Sequence, residues 1–337
     1  RSFDARKMAK RIQTVCPRWA RSTLLFSVGR LDDIFNRLPY FARLAWHVAK
    51  LQPDIVHGNN EPNSNREGML VARLLRIPFV QHVRGPLAPT RMAPWLLKSP
   101  AAFVPVSRWL AGELLVRGVP GHRIRQIYDG VEMASNVEAP VRDLRSDLCL
   151  GPNTMLVAMV GMLVQWKGQD LFIDAVSQLR NVDLEIAFLV FGDTPEHGDM
   201  DYAEKLRNQV TDLGLEKRIY FMGRQSGLTS LLPQIAVVVS ASTEPEPLGL
   251  VMIEAMANGC SFVAPAFGAA TEVVEDGISG YLFTPRDAVS LAKTLQKAII
   301  RCEQCREMSD QARLRVSERF SLGQCRDQTV RVYQTVA

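Results

Sequence analysis

No apolar run in this chain approaches the ~18 residues that a membrane-spanning helix requires, and the N-terminal stretch lacks the apolar centre of a secretion signal. A soluble, cytoplasmic protein is the expectation. Two phosphate-binding fingerprints are also missing. Neither G-x-x-x-x-G-K-[ST] nor G-x-G-x-x-G occurs, which argues against a nucleoside triphosphatase or a simple dehydrogenase. The Lys and Arg residues are spread out, without the aromatic interleaving that single-strand binders use, so no nucleic-acid partner is expected. Cysteine is sparse. Of the six, only Cys302 and Cys305 lie close together, inside a stretch, Leu291 to Val316, that reads as helix; with no second close pair they read as free thiols, not metal ligands.

What remains is an ordinary globular composition. A length of 337 residues with 47% apolar content suffices for two domains, each with its own core. The net charge of +5 is modest and reads as chance, with a phosphate-bearing ligand or an anionic membrane surface as the alternative. The basic stretch Arg1 to Arg21 reads as a solvated helix, with peripheral contact at the inner face of a membrane as the alternative.

Short β-rich runs alternate with helical patterns along the chain. They fall at Asp54 to Val56, Phe79 to Val83, Phe103 to Val106, Met155 to Val160, Ile186 to Phe191, Ile219 to Phe221, Val237 to Ser240 and Phe262 to Ala264. A helix over Gln169 to Leu179 places Leu171, Phe172, Ala175, Val176 and Leu179 on one stripe. This alternation implies α/β architecture, with parallel sheets covered by helices on both faces. Proline, glycine and charge interrupt the pattern at Glu138 to Asn153, the expected division between two such series.

The segment from Ser242 to Gly259 carries the most chemistry. Pro245 and Pro247 cannot lie inside a helix, so a helix is predicted to start near Leu248 to Leu250, with Glu246 just ahead of it and Gly259 able to end it. Unpaired N–H groups at Leu248, Gly249 and Leu250 suit a phosphate, and Gly249 lets a ligand approach the backbone. Glu254, about a turn further in, is placed to accept paired hydroxyls such as those of a ribose, and Glu246 those of a sugar. On the two glutamates alone, a plain helix with acidic residues favoured near its start explains the segment equally well.

In its order of motifs the chain resembles retaining glycosyltransferases of family 4 (glycosyl transferases group 1). The matching residues are Pro53-Asp54-Ile55-Val56-His57, Ile77-Pro78-Phe79-Val80, Val104-Pro105-Val106-Ser107, Ile127-Tyr128-Asp129-Gly130-Val131 and Val160-Gly161 followed by Lys167-Gly168. Phe221-Met222-Gly223 comes next, then Glu246 to Glu254 as an E-x7-E element, Gly268-Ala269-Ala270-Thr271-Glu272, and Asp276-Gly277-Ile278-Ser279-Gly280. Together they run from about Leu51 to Tyr333.

The resemblance implies the GT-B fold, two Rossmann-like parallel-sheet domains facing each other across a cleft. The expected division is an acceptor-side domain over 1–140, a nucleotide-sugar-binding domain over 141–316, and a segment over 317–337 that returns to the first. It further implies transfer of a sugar from a nucleoside diphosphate sugar to a hydroxyl of a glycan, a lipid-linked or a small-molecule acceptor, as in polysaccharide biosynthesis. Neither metal nor cofactor is called for, because cations and the helix start do the work of a divalent ion. Glu246 orients the sugar, Glu254 the ribose and Lys167 the diphosphate; Gly161, Gly223, Arg224 and the Leu248 to Leu250 amides complete donor binding. No residue stands out as a covalent nucleophile.

Three departures qualify this. Met162 stands where the family usually has an arginine after Gly161, which would remove one of two cations, with Arg224 or Arg84 as substitutes. Arg84 stands where many relatives place a histidine near the reacting sugar; always charged, it holds a developing anion but is no general base, and it reads as a change of subtype. His82, two residues earlier, points to the same strand face, and His57 reads as structural. Finally, no first strand and glycine-rich loop precede Leu51, so the first domain is expected to be about forty residues short. A non-catalytic nucleotide-sugar-binding scaffold and a sugar-nucleotide epimerase of similar architecture remain as alternatives.

Overall fold

The computed structural model describes residues 4–87, 92–133, 142–179, 185–196, 198, 200–304 and 307–337. Residues 1–3 of the basic stretch, 138–141 of the expected break, and Cys305, hence the Cys302 and Cys305 pair, lie outside the described residues. The chain divides into two compact units: Arg1–Val104 with Leu115–Arg125 and Val332–Ala337, and Pro105–Leu114 with Gln126–Arg331. Among the described residues no helix is long and apolar enough to cross a membrane.

The first unit contains a sheet of order β1-β2-β3, formed by Val56–Gly58, Phe79–Val83 and Ala102–Pro105. β1 and β2 are parallel, with Val56 opposite Phe79. The sequence places β1 two residues too early, because Asp54 and Ile55 read as part of the apolar run while the ladder begins only at Val56. Helix Arg66–Leu75 buries Met69, Val71 and Ala72, and it stops at Arg76 in the left-handed region. β2 is buried throughout although it carries Gln81 and His82. Gln81 is satisfied internally: its Nε2 donates to the carbonyls of Gly58, Asn60 and His82. The His82 ring lies 5.5 Å from that of His57, whose Nδ1 is 2.6 Å from Tyr333 Oη on the helix Leu322–Val336.

The second unit is built on six parallel strands: β4 (Met155–Val160), β5 (Ile186–Phe191), β6 (Ile219–Gly223), β7 (Val237–Val239), β8 (Ser261–Pro265) and β9 (Tyr281–Phe283). Their order is β6-β5-β4-β7-β8-β9, so the winding reverses between β4 and β7. Crevices at such a reversal, beyond the carboxyl ends of the strands, are where open α/β sheets receive ligands. Apolar runs with both faces covered give β4, β5, β7 and β8 their almost complete burial. β9, three residues long, is a strand that the sequence pattern did not mark. In helix Gln169–Ser177 the buried stripe includes Ile173, whereas Leu171 is only half-buried, so the face is turned slightly from the one read off the sequence. Within the stretch Leu291 to Val316, read as helix, the described residues are helical, in Ala288–Gln304 and Glu307–Arg319.

The glutamate of Gly268-Ala269-Ala270-Thr271-Glu272 has a structural task. Helix Arg108–Val116 has its first amides capped from far along the chain: Arg108 N–H and Trp109 N–H each donate to the Glu272 carboxylate at 2.8 Å. Tyr128 Oη donates to the same carboxylate at 2.9 Å, and Arg315 donates to the carbonyls of Glu272 and Val273. A carboxylate at a helix start also meets the positive end of the helix dipole.

Burial and the charge of Arg84 push the His82 pKa down to about 3. Its ordinary value near 6.5 is regained on unfolding, so the unfolded chain binds the proton first. The neutral ring's contribution to stability is therefore complete above about pH 6.5 and falls as pH drops towards 3. Thermal unfolding between pH 7 and pH 4 should show a steeper loss of Tm in the wild type than in His82→Gln; equal slopes would contradict this account.

Candidate active site

At the reversal point two loops meet, one leaving β4 and the other leaving β7. The first runs from Gly161 through a 3₁₀ turn, Gln165–Lys167, into helix Gln169–Ser177. Gly168 joins turn to helix with φ +72°, and a Cβ at that position would lie 2.1 Å from the carbonyl oxygen of Ala241. No side chain fits there. The second loop is locked to the first: Thr243 N–H donates to the Trp166 carbonyl at 2.8 Å, and Arg286 Nε donates to the Thr243 carbonyl at 2.8 Å.

These constraints bring Lys167 and Glu246 together. Lys167 Nζ lies 2.9 Å from Glu246 Oε1, and both side chains are less than one-fifth exposed. The ammonium is also 4.3 Å from the centre of the Trp166 ring, a cation–π contact. Ser240 Oγ and Ser242 Oγ donate to the same Oε1. Among the described residues every donor to this carboxylate therefore converges on one oxygen, and Oε2 is turned towards Gly249, 3.3 Å from the point a Cβ there would occupy. The two serines are the site residues that the sequence reading passed over. Their signal was the i, i+2 spacing at the end of an extended run, which puts both on one face.

Helix Leu250–Ala257 begins at the late edge of the predicted window, with Gly249 as its N-cap in the left-handed region and no side-chain cap. A Cβ on Gly249 would meet Met252 Cε at 2.5 Å. Leu248 is buried and Leu250 exposed. Glu254 is half-buried within the helix, and that burial raises its pKa. The carbonyl of Glu246 accepts from Ala269 N–H at 3.2 Å, so the Glu246 loop is held on its other side by the start of the Gly268 to Glu272 motif.

Beyond the carboxyl ends of β4, β5 and β6 a cavity of about 610 Å³ opens beside this centre. Its lining includes Gly161, Met162, Asp193, Thr194 and Arg224. Gly223 closes β6 with φ +64° and directs the chain into Arg224. Arg224 is thus a cation lining the same cavity as the Met162 that departs from the family pattern. Arg84 belongs to the first unit, exposed at the end of β2. The arrangement as a whole offers an oxyanion a lysine, an arginine and a helix start, and offers hydroxyls two carboxylates.

Two parallel-sheet α/β units with a polar centre at a strand-order reversal define a nucleotide-handling class of the GT-B type. The family model described as glycosyl transferases group 1 matches residues 143–315, more than half of the chain, and that described as glycosyltransferase family 4 matches residues 7–135. The chain belongs to the glycosyl transferases group 1 family. Among solved structures it is similar to Anabaena HepE in complex with UDP, at 26% identity and a TM-score of 0.79 over 88% of this chain and 82% of that one. The HepE complex with UDP and glucose gives a TM-score of 0.78 at 25% identity, covering 94% and 89%. Among curated proteins it is 32% identical over 180 residues to the D-inositol 3-phosphate glycosyltransferase of Mycolicibacterium vanbaalenii, 51% of this chain. The N-acetyl-alpha-D-glucosaminyl L-malate synthase of Bacillus anthracis is 24% identical over 60% of it. The chain spans 40% of the M. vanbaalenii protein and 51% of the B. anthracis one.

Replacing Gly168 by alanine forces a Cβ against the Ala241 carbonyl in a backbone conformation that alanine disfavours. A loss of roughly 2 kcal/mol or more is expected in urea unfolding. A change under roughly 0.5 kcal/mol, the range of ordinary surface substitutions, would show that the loops are not locked in this way.

Proposed function

We propose that this chain transfers a sugar, with retention of anomeric configuration, from a nucleoside diphosphate sugar to a hydroxyl-bearing acceptor. The observation that carries the reading is the joining of Lys167 and Glu246 at the strand-order reversal, within a chain of this family and similar to a UDP-bound structure. Lys167 takes the diphosphate, giving up part of its bond to Glu246 as the phosphate arrives. Glu246 Oε2, turned towards Gly249, takes a hydroxyl of the transferred sugar. The Leu248, Gly249 and Leu250 amides cradle the phosphate, and Glu254 accepts ribose hydroxyls. Arg224, with Gly161 and Gly223, bounds the donor cavity.

In the transfer, the acceptor oxygen forms a bond to the anomeric carbon as the bond from that carbon to the diphosphate oxygen breaks. The electron pair leaves with the nucleoside diphosphate, and the hydroxyl proton passes to the departing phosphate oxygen. Lys167 and the helix start stabilise the charge that develops there, so no divalent ion is needed. A non-catalytic nucleotide-sugar scaffold and an epimerase are the rival readings. Release of nucleoside diphosphate from a panel of nucleotide sugars separates them. Turnover with at least one donor is expected, unaffected by EDTA and reduced at least about a hundredfold in Glu246→Ala and Lys167→Ala. Tight donor binding without turnover would favour a scaffold, and an isomeric nucleotide sugar an epimerase.

Peripheral contact with an anionic membrane belongs to the same reading. Residues 1–53 hold eleven Lys and Arg against three Asp. Leu31, Ile34, Phe35 and Leu38, at i, i+3, i+4 and i+7, are exposed. Vesicles containing phosphatidylserine should sediment the protein at low salt and release it at high salt; no sedimentation, or equal sedimentation with neutral vesicles, removes this element.

A further inference from the structure

When Lys167 turns to a diphosphate it leaves Glu246, whose side chain is only 14% exposed, without that ammonium. A carboxylate so little exposed needs other donors to keep its charge and its direction. Two are already in place. Ser240 Oγ donates to Oε1 at 3.2 Å, and Ser242 Oγ donates to the same atom. Neither serine stands on a mobile stem. Ser240 extends the ladder of β7, its N–H donating to the Val263 carbonyl at 2.9 Å, and Ser242 is fully buried. Between them the Ala241 carbonyl packs against Gly168. One-carbon side chains on so fixed a backbone hold a geometry at less entropic cost than the four-carbon stem of a lysine. The two hydroxyls are 3.3 Å apart, within reach of one another. Each carries its own proton, so with one serine gone the other still meets the carboxylate.

We propose that Ser240 and Ser242 are positioning residues for the sugar of the donor. Together they clamp Glu246 Oε1, so that Oε2 keeps its direction towards Gly249 after the ammonium has moved to the diphosphate. This rests on the glycosyltransferase reading of the site. Neutral hydroxyls suit the task better than a second cation would. A cation beside Glu246 would compete for the incoming phosphate, as Lys167 does, whereas a hydroxyl holds the carboxylate and leaves its charge to the sugar. Holding the sugar and holding the phosphate are thereby given to different side chains, and Lys167 can change partners without releasing Glu246.

The test uses the full chain. Calorimetry compares UDP with UDP-glucose, and GDP with GDP-mannose, in the wild type, Ser240→Ala, Ser242→Ala and the double variant. For a pair that the wild type binds, the double variant should lose at least about tenfold in affinity for the nucleotide sugar, and less than about twofold for the free nucleotide. Each single variant should lose less, and Ser240→Thr, which keeps the hydroxyl, should stay near the wild type. In a Glu246→Ala background there is no carboxylate to hold, so the serine changes should have no further effect. No loss, an equal loss for nucleotide and nucleotide sugar, or a loss that persists in Glu246→Ala overturns the proposal. Melting without ligand gives a second, independent reading: the double serine change should lower Tm more in Lys167→Met than in the wild type, because the carboxylate then keeps no donor. An equal or smaller drop also overturns the clamp. A wild type that binds none of the four ligands strikes the donor reading instead, and the melting comparison then decides the clamp by itself.

Discussion

The ion pair between Lys167 and Glu246 is the interaction on which the second unit's chemistry turns. Its partners are 79 positions apart and come from loops after different strands, so it exists only because the sheet places β4 next to β7. Little of its worth is thermodynamic. A pair this poorly exposed loses much of its Coulomb attraction to desolvation, and its value lies in fixing which way each group points. On the proposed reading the serines supply what the lysine cannot, holding the carboxylate in place when the ammonium turns to another anion.

The backbone is arranged to keep that pair in register. Gly168 packs against the Ala241 carbonyl, Thr243 bonds to Trp166, and Ala269 bonds to Glu246, so the β4 loop, the β7 loop and the Gly268 motif support one another. Such a frame holds the loops in place, so that on the proposed reading only the Lys167 ammonium need turn, away from Glu246, to meet a developing oxyanion. Glu272 shows the complementary case. It is as acidic as Glu246 and part of a motif as recognisable, yet its carboxylate is spent on a helix start and a tyrosine hydroxyl.

Much of this was legible in the residues. β4 and β5 appear over the residues their apolar runs mark, because a strand covered on both faces reads as an uninterrupted hydrophobic segment, and β2 appears where expected although Gln81 and His82 interrupt its run. Short edge elements were not legible: β9 is three residues long, and β1 starts two residues late. The start of the helix Leu250–Ala257 followed from the prolines ahead of it. The roles of Ser240 and Ser242 did not, since a serine in an extended run has no mark of its partner.

By itself the sequence determined the alternation of strands and helices, the parallel character of the sheets, and the types of group available for binding, because these follow from local periodicity and side-chain chemistry. Tertiary structure alone decided which of those groups meet. It joined Lys167 to Glu246, set Arg224 on the cavity beside Met162, and committed Glu272 to a cap. Strand order and loop closure bring together residues far apart along the chain, and neither leaves a trace in local pattern.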